Sequence, residues 1–175
     1  ETVWRNPTTQ THNLSVNGGS DRVRYFGAAS YVKQEGFLKP LTYDKYNIRM
    51  NVTADITKDL EVFAGLAIYN NFTGNAVFED AGSNYSKLRV WQPDQPVYTD
   101  NGQYIDYGWI ANMGAAVDGR GGYNKSQMLK PQAVISATYK MPFLKGLSAK
   151  VSYSRSWTND VNKKFYINYD LVTMK

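Results

Sequence analysis

The chain has 175 residues, with 20 Lys plus Arg against 15 Asp plus Glu, one histidine and no cysteine. Without cysteine there is no disulfide scaffold, Cys-ligated zinc or thiol nucleophile, and a lone His12 leaves little for a His-based metal site or a Ser-His-Asp enzyme. No stretch approaches the apolar length of a transmembrane helix, while 14 Tyr, 14 Gly and abundant Asn, Ser and Thr suit a β protein with a polar, aromatic-rich surface.

Taken in chain order, the segments alternate apolar and polar residues with a period of two, which only a strand sorts onto opposite faces. Leu14 and Val16 precede a turn at residues 18–21, after which Val23, Tyr25, Gly27, Ala29 and Tyr31 form an apolar row. Tyr46, Ile48, Met50, Val52, Ala54 and Ile56 follow without a fault. A turn at residues 57–59 leads to Leu60, Val62, Ala64, Leu66 and Ile68. A last pair carries Ala133, Ile135, Ala137, Tyr139 and Met141, a turn at residues 142–146, then Leu147, Ala149, Val151, Tyr153, Arg155 and Trp157. The expected fold is therefore all-β, antiparallel and up-and-down, with about six strands in three hairpins.

The connections are lopsided. Turns within hairpins are tight, while the connection over residues 71–131 is long. A compact soluble domain rarely carries such a connection, whereas an outer-membrane barrel has short periplasmic turns and long extracellular loops. Charge is lopsided too. The apolar rows hold one charge, Arg155, near the long-loop end where its guanidinium can snorkel. The opposite rows hold Arg24, Arg49, Asp55, Glu61, Lys140 and Lys150, with the hydroxyl run Ser148, Ser152, Ser154, Ser156 and Thr158. These are expected to face a wet lumen, and Tyr31, Tyr46 and Trp157 to form a membrane-interface belt.

Residues 12–20 (HNLSVNGGS), then Val23-Arg24-Tyr25-Phe26, Gln34-Glu35-Gly36 and Tyr46-Asn47-Ile48-Arg49-Met50-Asn51, resemble the early barrel strands of SusC/RagA-type TonB-dependent transporters of Bacteroidota. Pro96-Val97-Tyr98 with Asp100-Asn101-Gly102-Gln103-Tyr104, and Pro142-Phe143-Leu144-Lys145-Gly146-Leu147, are similar to later parts of that family. The resemblance implies a 22-strand outer-membrane barrel with an N-terminal plug, energised through TonB and lidded by a SusD-like surface lipoprotein. It also implies import of oligosaccharides or peptides. The residues themselves offer no convincing nucleophile–base arrangement, so no enzymatic activity and no cofactor are expected. Since the chain shows no signal peptide, TonB box or plug, residues 1–175 are expected to be a partial barrel domain just after the plug, with TonB reached through that missing region. The competing reading is a soluble carbohydrate-binding β-sandwich, which needs a second layer over the apolar rows. A nucleic-acid binder would need a clustered basic stripe, and the charges are dispersed.

Within the long loop, Trp91, Tyr98, Tyr104, Tyr107 and Trp109, with Tyr85 and Tyr123, are candidates for stacking on sugar rings or peptide side chains; the alternative is packing of the loop on itself or on a lid protein. Asp100-Asn101-Gly102 with Asp106 faintly resembles a calcium loop but reads better as a hairpin turn, and no metal site is expected. Gly119-Arg120-Gly121-Gly122 lacks the context of a phosphate cradle and reads as a loop tip. His12 falls on the apolar parity and is expected to be interfacial or structural. Asn13, Asn51, Asn71, Asn84 and Asn124 open Asn-x-Ser/Thr triplets that composition explains better than glycosylation.

Overall fold

A computed structural model describes residues 4–76, 89–92, 94–109, 112–144, 146–168 and 170–173. The main sheet holds β1 (Thr8–Gly19), β2 (Val23–Glu35), β3 (Thr42–Asp55), β4 (Leu60–Asn75), β6 (Gly122–Lys140), β7 (Ser148–Ser156) and β8 (Asn159–Tyr166). From β1 to β7 each strand of the sheet pairs antiparallel with the next, and β8 lies along β6 beyond β7. A small parallel pair, β5 (Ile105–Asp106) with β9 (Val172–Thr173), and a short helix, α1 (Met113–Val117), belong to the connections at the long-loop end.

Six positions in the sheet carry seven strand segments because of one proline. Gln132 pairs with Ser156 and Leu129 with Asn159, so the register runs unbroken from β7 into β8. Between them the Trp157 N–H donates to the Pro131 carbonyl at 3.2 Å, but Pro131 has no N–H to return to Trp157. The ladder loses one bond there, and a single long strand is divided in two.

The alternating residues fall into aligned rows. On one face, Leu14, Ala29, Ile48, Ile68 and Pro131 are successive partners, as are Val16, Gly27, Met50, Leu66, Ala133 and Arg155. Because side-chain parity is two, a one-residue slip in any ladder would move an apolar row to the opposite face, and none of the ladders slips. Between Tyr46 and Ile56 the apolar face spans roughly 33 Å along the strand, which at the usual tilt of about 40° gives a band about 25 Å tall.

Nothing covers that band among the described residues. Leu14 is 75% exposed, Val151 74%, Met50 56% and Ile135 53%. Among the described residues the buried apolar side chains are Leu38, Ala76, Ile105, Ala115 and Val117, all outside the strands' apolar rows. A sandwich would have buried those rows under a second sheet, and no such sheet lies there among the described residues.

At one end of the sheet the turns are tight. The Ser20 N–H donates to the Val23 carbonyl, Thr57 Oγ1 accepts from the N–H groups of Asp59 and Leu60, and the Met141 N–H donates to the Leu147 carbonyl. At the other end the strands run beyond the apolar band, with β4 continuing to Asn75 and β6 beginning at Gly122. The sequence assigned those residues to the loop, since Asn70 interrupts the apolar row; the backbone ladder continues regardless of side-chain polarity.

Candidate functional site

Three groups of side chains stand out, and the strands determine where each sits. The first is the aromatic row at the long-loop end of the apolar face. His12, Tyr31 and Tyr46 are directly paired across β1, β2 and β3. The Tyr31 and Tyr46 rings stack with centroids 4.8 Å apart, and His12 lies parallel to Tyr31 at 6.2 Å. Phe72 meets Tyr46 edge-on at 6.1 Å. Trp157 sits one row nearer the band centre, opposite Pro131, with the Arg155 guanidinium 5.9 Å from its ring. Arg155 itself lies in the Met50–Leu66–Ala133 row, two rows inside Tyr31 and Tyr46, and its head turns back toward the belt. Phe72 was missed from sequence because Asn70 interrupts its row, although it keeps the parity of Leu60 to Ile68.

The second group is on the opposite face. Arg24 spans Asp55 at 3.4 Å and Glu61 at 2.9 Å, joining three of the six expected lumen residues into one exposed ion-pair network near the tight turns. Exposed pairs of this kind are worth about 0–1 kcal/mol. Lys150, opposite Thr138, and Lys140, opposite Ser148, lie at the same end and make no ion pair among the described residues. Arg49 stands apart at mid-height, donating to the Tyr69 hydroxyl at 3.1 Å. Arg49, Asn51, Gln132, Ser154 and Ser156 line a shallow hollow of about 400 Å³.

The third group is the folded part of the long connection. Asn112 is its centre. Nearly fully buried, it caps α1 by accepting from the Ala115 N–H at 3.2 Å, and its amide donates to the carbonyls of Val97 at 2.8 Å and Ile105 at 3.0 Å. One residue thereby closes a helix start and two strand-like segments. The Tyr98 and Tyr104 hydroxyls both donate to Asp118 Oδ2, at 2.7 and 3.0 Å, and Lys39 Nζ lies 3.7 Å from the other oxygen. Burial and then the bond to Asp118 push the Tyr98 hydroxyl well above the usual phenol range. Leu38 and Val117 pack together, with Phe37 and Leu41 against them, so the β2–β3 connection and the long loop share one small core.

Of the aromatic ligand candidates, most are engaged internally. The Tyr107 hydroxyl donates to the Pro96 carbonyl, the Trp91 indole N–H to the Gln95 carbonyl, and the two rings meet edge-on at 5.5 Å. Burial and the Asp94 charge raise the Tyr107 hydroxyl. Trp109 is 56% exposed. Tyr85 and the Asn84 triplet lie outside the described residues. At Asp100-Asn101-Gly102, the Gly102 N–H donates to the Thr99 carbonyl with Gly102 at φ +76°, a hairpin turn bridging Tyr98 and Tyr104. Asp106 accepts from the Gly108 N–H, and no group of three His, Cys, Asp or Glu able to hold a metal occurs among the described residues. Gly119 to Gly122 forms the turn from α1 into β6. Asp118, Asn112 and Lys39 carried no sequence signal, being single polar residues whose partners are distant in the chain.

No protein-family model matches the chain. It is similar to TonB-dependent receptor P3 of Formosa agariphila, 25% identical over 122 residues that make up 66% of this chain and 12% of that receptor. TonB-dependent receptor P26 of the same organism is 25% identical over 92 residues, 53% of this chain and 9% of that receptor. The matched part thus spans a small fraction of either relative.

Proposed function

We propose that the chain forms part of the wall of a TonB-dependent importer in the bacterial outer membrane, of the SusC/RagA type, taking up oligosaccharides or peptides. The observation that carries this reading is the two-faced sheet. Its apolar rows are exposed with nothing over them among the described residues, while the opposite rows carry the charges and most of the hydroxyls and amides, mixed with apolar residues such as Phe26, Phe63 and Val134. In water such an apolar face is a liability; against acyl chains it is the stable arrangement. The outer edges of β1 and of β7–β8 are unpaired among the described residues, and in lipid each must be met by a further strand. The similarity to TonB-dependent receptors supports the same reading.

In this reading Arg24, Arg49, Asp55, Glu61, Lys140 and Lys150 face the lumen, and Tyr31, Tyr46 and Trp157 mark the outer interface. The folded loop stands above the barrel mouth, where a SusD-like lipoprotein would close over it, and TonB supplies the energy. Trp91, Tyr98, Tyr104 and Tyr107 act as the loop's framework, and Trp109 presents the face on which a sugar ring or apolar side chain stacks.

The test is uptake by cells carrying the full-length protein. Fluorescent oligosaccharides and peptides should enter only when both the protein and TonB are present, and Trp109→Ala should weaken capture while leaving the amount of outer-membrane protein unchanged. Uptake indifferent to TonB, or recovery of the protein in the soluble fraction, contradicts the proposal.

A further inference from the structure

Just outside the aromatic row, the outward face changes character. There Thr42, Gly74, Lys125 and Lys163 are successive cross-strand partners on β3, β4, β6 and β8. Lys125 and Lys163 lie directly opposite one another, a like-charge pairing that is unfavourable by itself. No carboxylate forms an ion pair with either among the described residues, whereas Lys33 on the same face pairs with Glu35 at 3.1 Å. The carboxylate one row below, Asp44, accepts from the Tyr31 hydroxyl at 2.8 Å. The Lys125 ammonium is 5.2 Å from the Tyr123 ring centroid, and Tyr123 lies against Phe165 above it.

These lysines stand over a hollow of about 480 Å³ whose lower wall is Tyr46, Phe72 and Val161 together with Gln127 and Asp44, the latter bonded to Tyr31, and whose upper wall is polar. Gly74 keeps it open, because a Cβ there would run into Thr42 Oγ1. The hollow is therefore cationic on the side away from the band and mixed toward it, where Tyr46, Phe72 and Val161 give an apolar path beside Asn70 to the row of Ile48 and Ile68.

We infer that this hollow binds an anionic lipid of the outer leaflet, its phosphate between Lys125 and Lys163 and an acyl chain running down past Tyr46, Phe72 and Val161. The inference rests on the membrane reading above. A bound phosphate turns the unfavourable lysine pair into a favourable one, and an acyl chain is the occupant that both fills the apolar wall and follows it into the band. An acidic peptide would satisfy the lysines and leave that wall wet.

The experiment uses the full-length protein in phosphatidylcholine nanodiscs with lipid A as the sole anionic lipid, and counts retained lipid by native mass spectrometry after extraction. Wild type should retain lipid A, and Lys125→Gln with Lys163→Gln should bind it about thirtyfold more weakly, taking about fivefold for each basic residue near an anionic surface. Lys33→Gln, at nearly the same height but already ion-paired, should match wild type. Millimolar inorganic phosphate should not displace the lipid. Equal retention by the double variant, or displacement by free phosphate, overturns the inference. A wild-type protein that enters nanodiscs but retains no lipid A defeats this inference alone; one that will not enter them defeats the membrane reading with it.

Discussion

Leu38, Ala76, Ile105, Ala115 and Val117 are buried in the connecting segments, whereas Leu14, Met50, Ile135 and Val151 on the strand wall are each more than half exposed. The two regions are thus held together by different physics. The loop behaves as a small water-soluble fold, with its own core, a buried capping asparagine and tyrosines tied to one carboxylate. The wall is held by a ladder of backbone hydrogen bonds that breaks at Pro131, and its apolar rows are exposed; in the proposed reading those side chains find low-dielectric surroundings outside the chain.

The largest effect expected from breaking this contrast is in the loop. Ile105→Ala removes a fully buried side chain, a change that costs about 2–5 kcal/mol. Hydrogen exchange should show β5, β9 and the segment around Val97 losing protection while β3 and β4 keep theirs. Simultaneous loss in the strands would mean that the two regions form one cooperative unit.

The wall gives the next largest effect. Met50→Lys puts a charge near the middle of the apolar band and should destabilise the lipid-embedded full-length protein by roughly 2–4 kcal/mol. Asn51→Lys, one residue along on the opposite face, should cost close to nothing. Denaturant unfolding in lipid vesicles measures both, and equal costs would erase the distinction between the faces.

The smallest effect is a titration. Below the ordinary phenol pKa the Tyr98 hydroxyl is neutral in folded and unfolded chains alike, and its bond to Asp118 supports the loop. Because its folded pKa is raised, that support declines as pH climbs past about 10 toward the higher folded value. Tyrosinate absorbance should therefore show Tyr98 ionising after the exposed tyrosines. Tyr98→Phe should leave the step near pH 10 unchanged and reduce the later one; a smaller step near pH 10 would place Tyr98 among the exposed group.

Much of the wall was legible because alternation is a local signal: Tyr46 through Thr57 assigns both faces of β3 without reference to any other segment. Arg24, Asp55 and Glu61 were legible as a face, but their meeting depends on register between three strands. Phe72 was hidden by Asn70, and the split at Pro131 lay at the end of the long connection that the sequence placed over residues 71–131. The loop was the opposite case. Its aromatic content marked it as unusual, yet composition does not reveal that the Tyr98 and Tyr104 hydroxyls share Asp118, or that Asn112 ties Val97 to Ile105. Those contacts close over intervening chain with no period to betray them.

The absence of cysteine from this chain leaves it free for single spin labels, and a label at each of positions 47 to 52 in the lipid-reconstituted full-length protein tests the two-faced wall most directly. Labels replacing Ile48, Met50 and Val52 should relax with oxygen dissolved in the bilayer, and those replacing Asn47, Arg49 and Asn51 with a water-soluble nickel chelate, alternating residue by residue. If the even positions are shielded from both reagents, or respond to the chelate as the odd ones do, the apolar rows do not face lipid and the account is wrong.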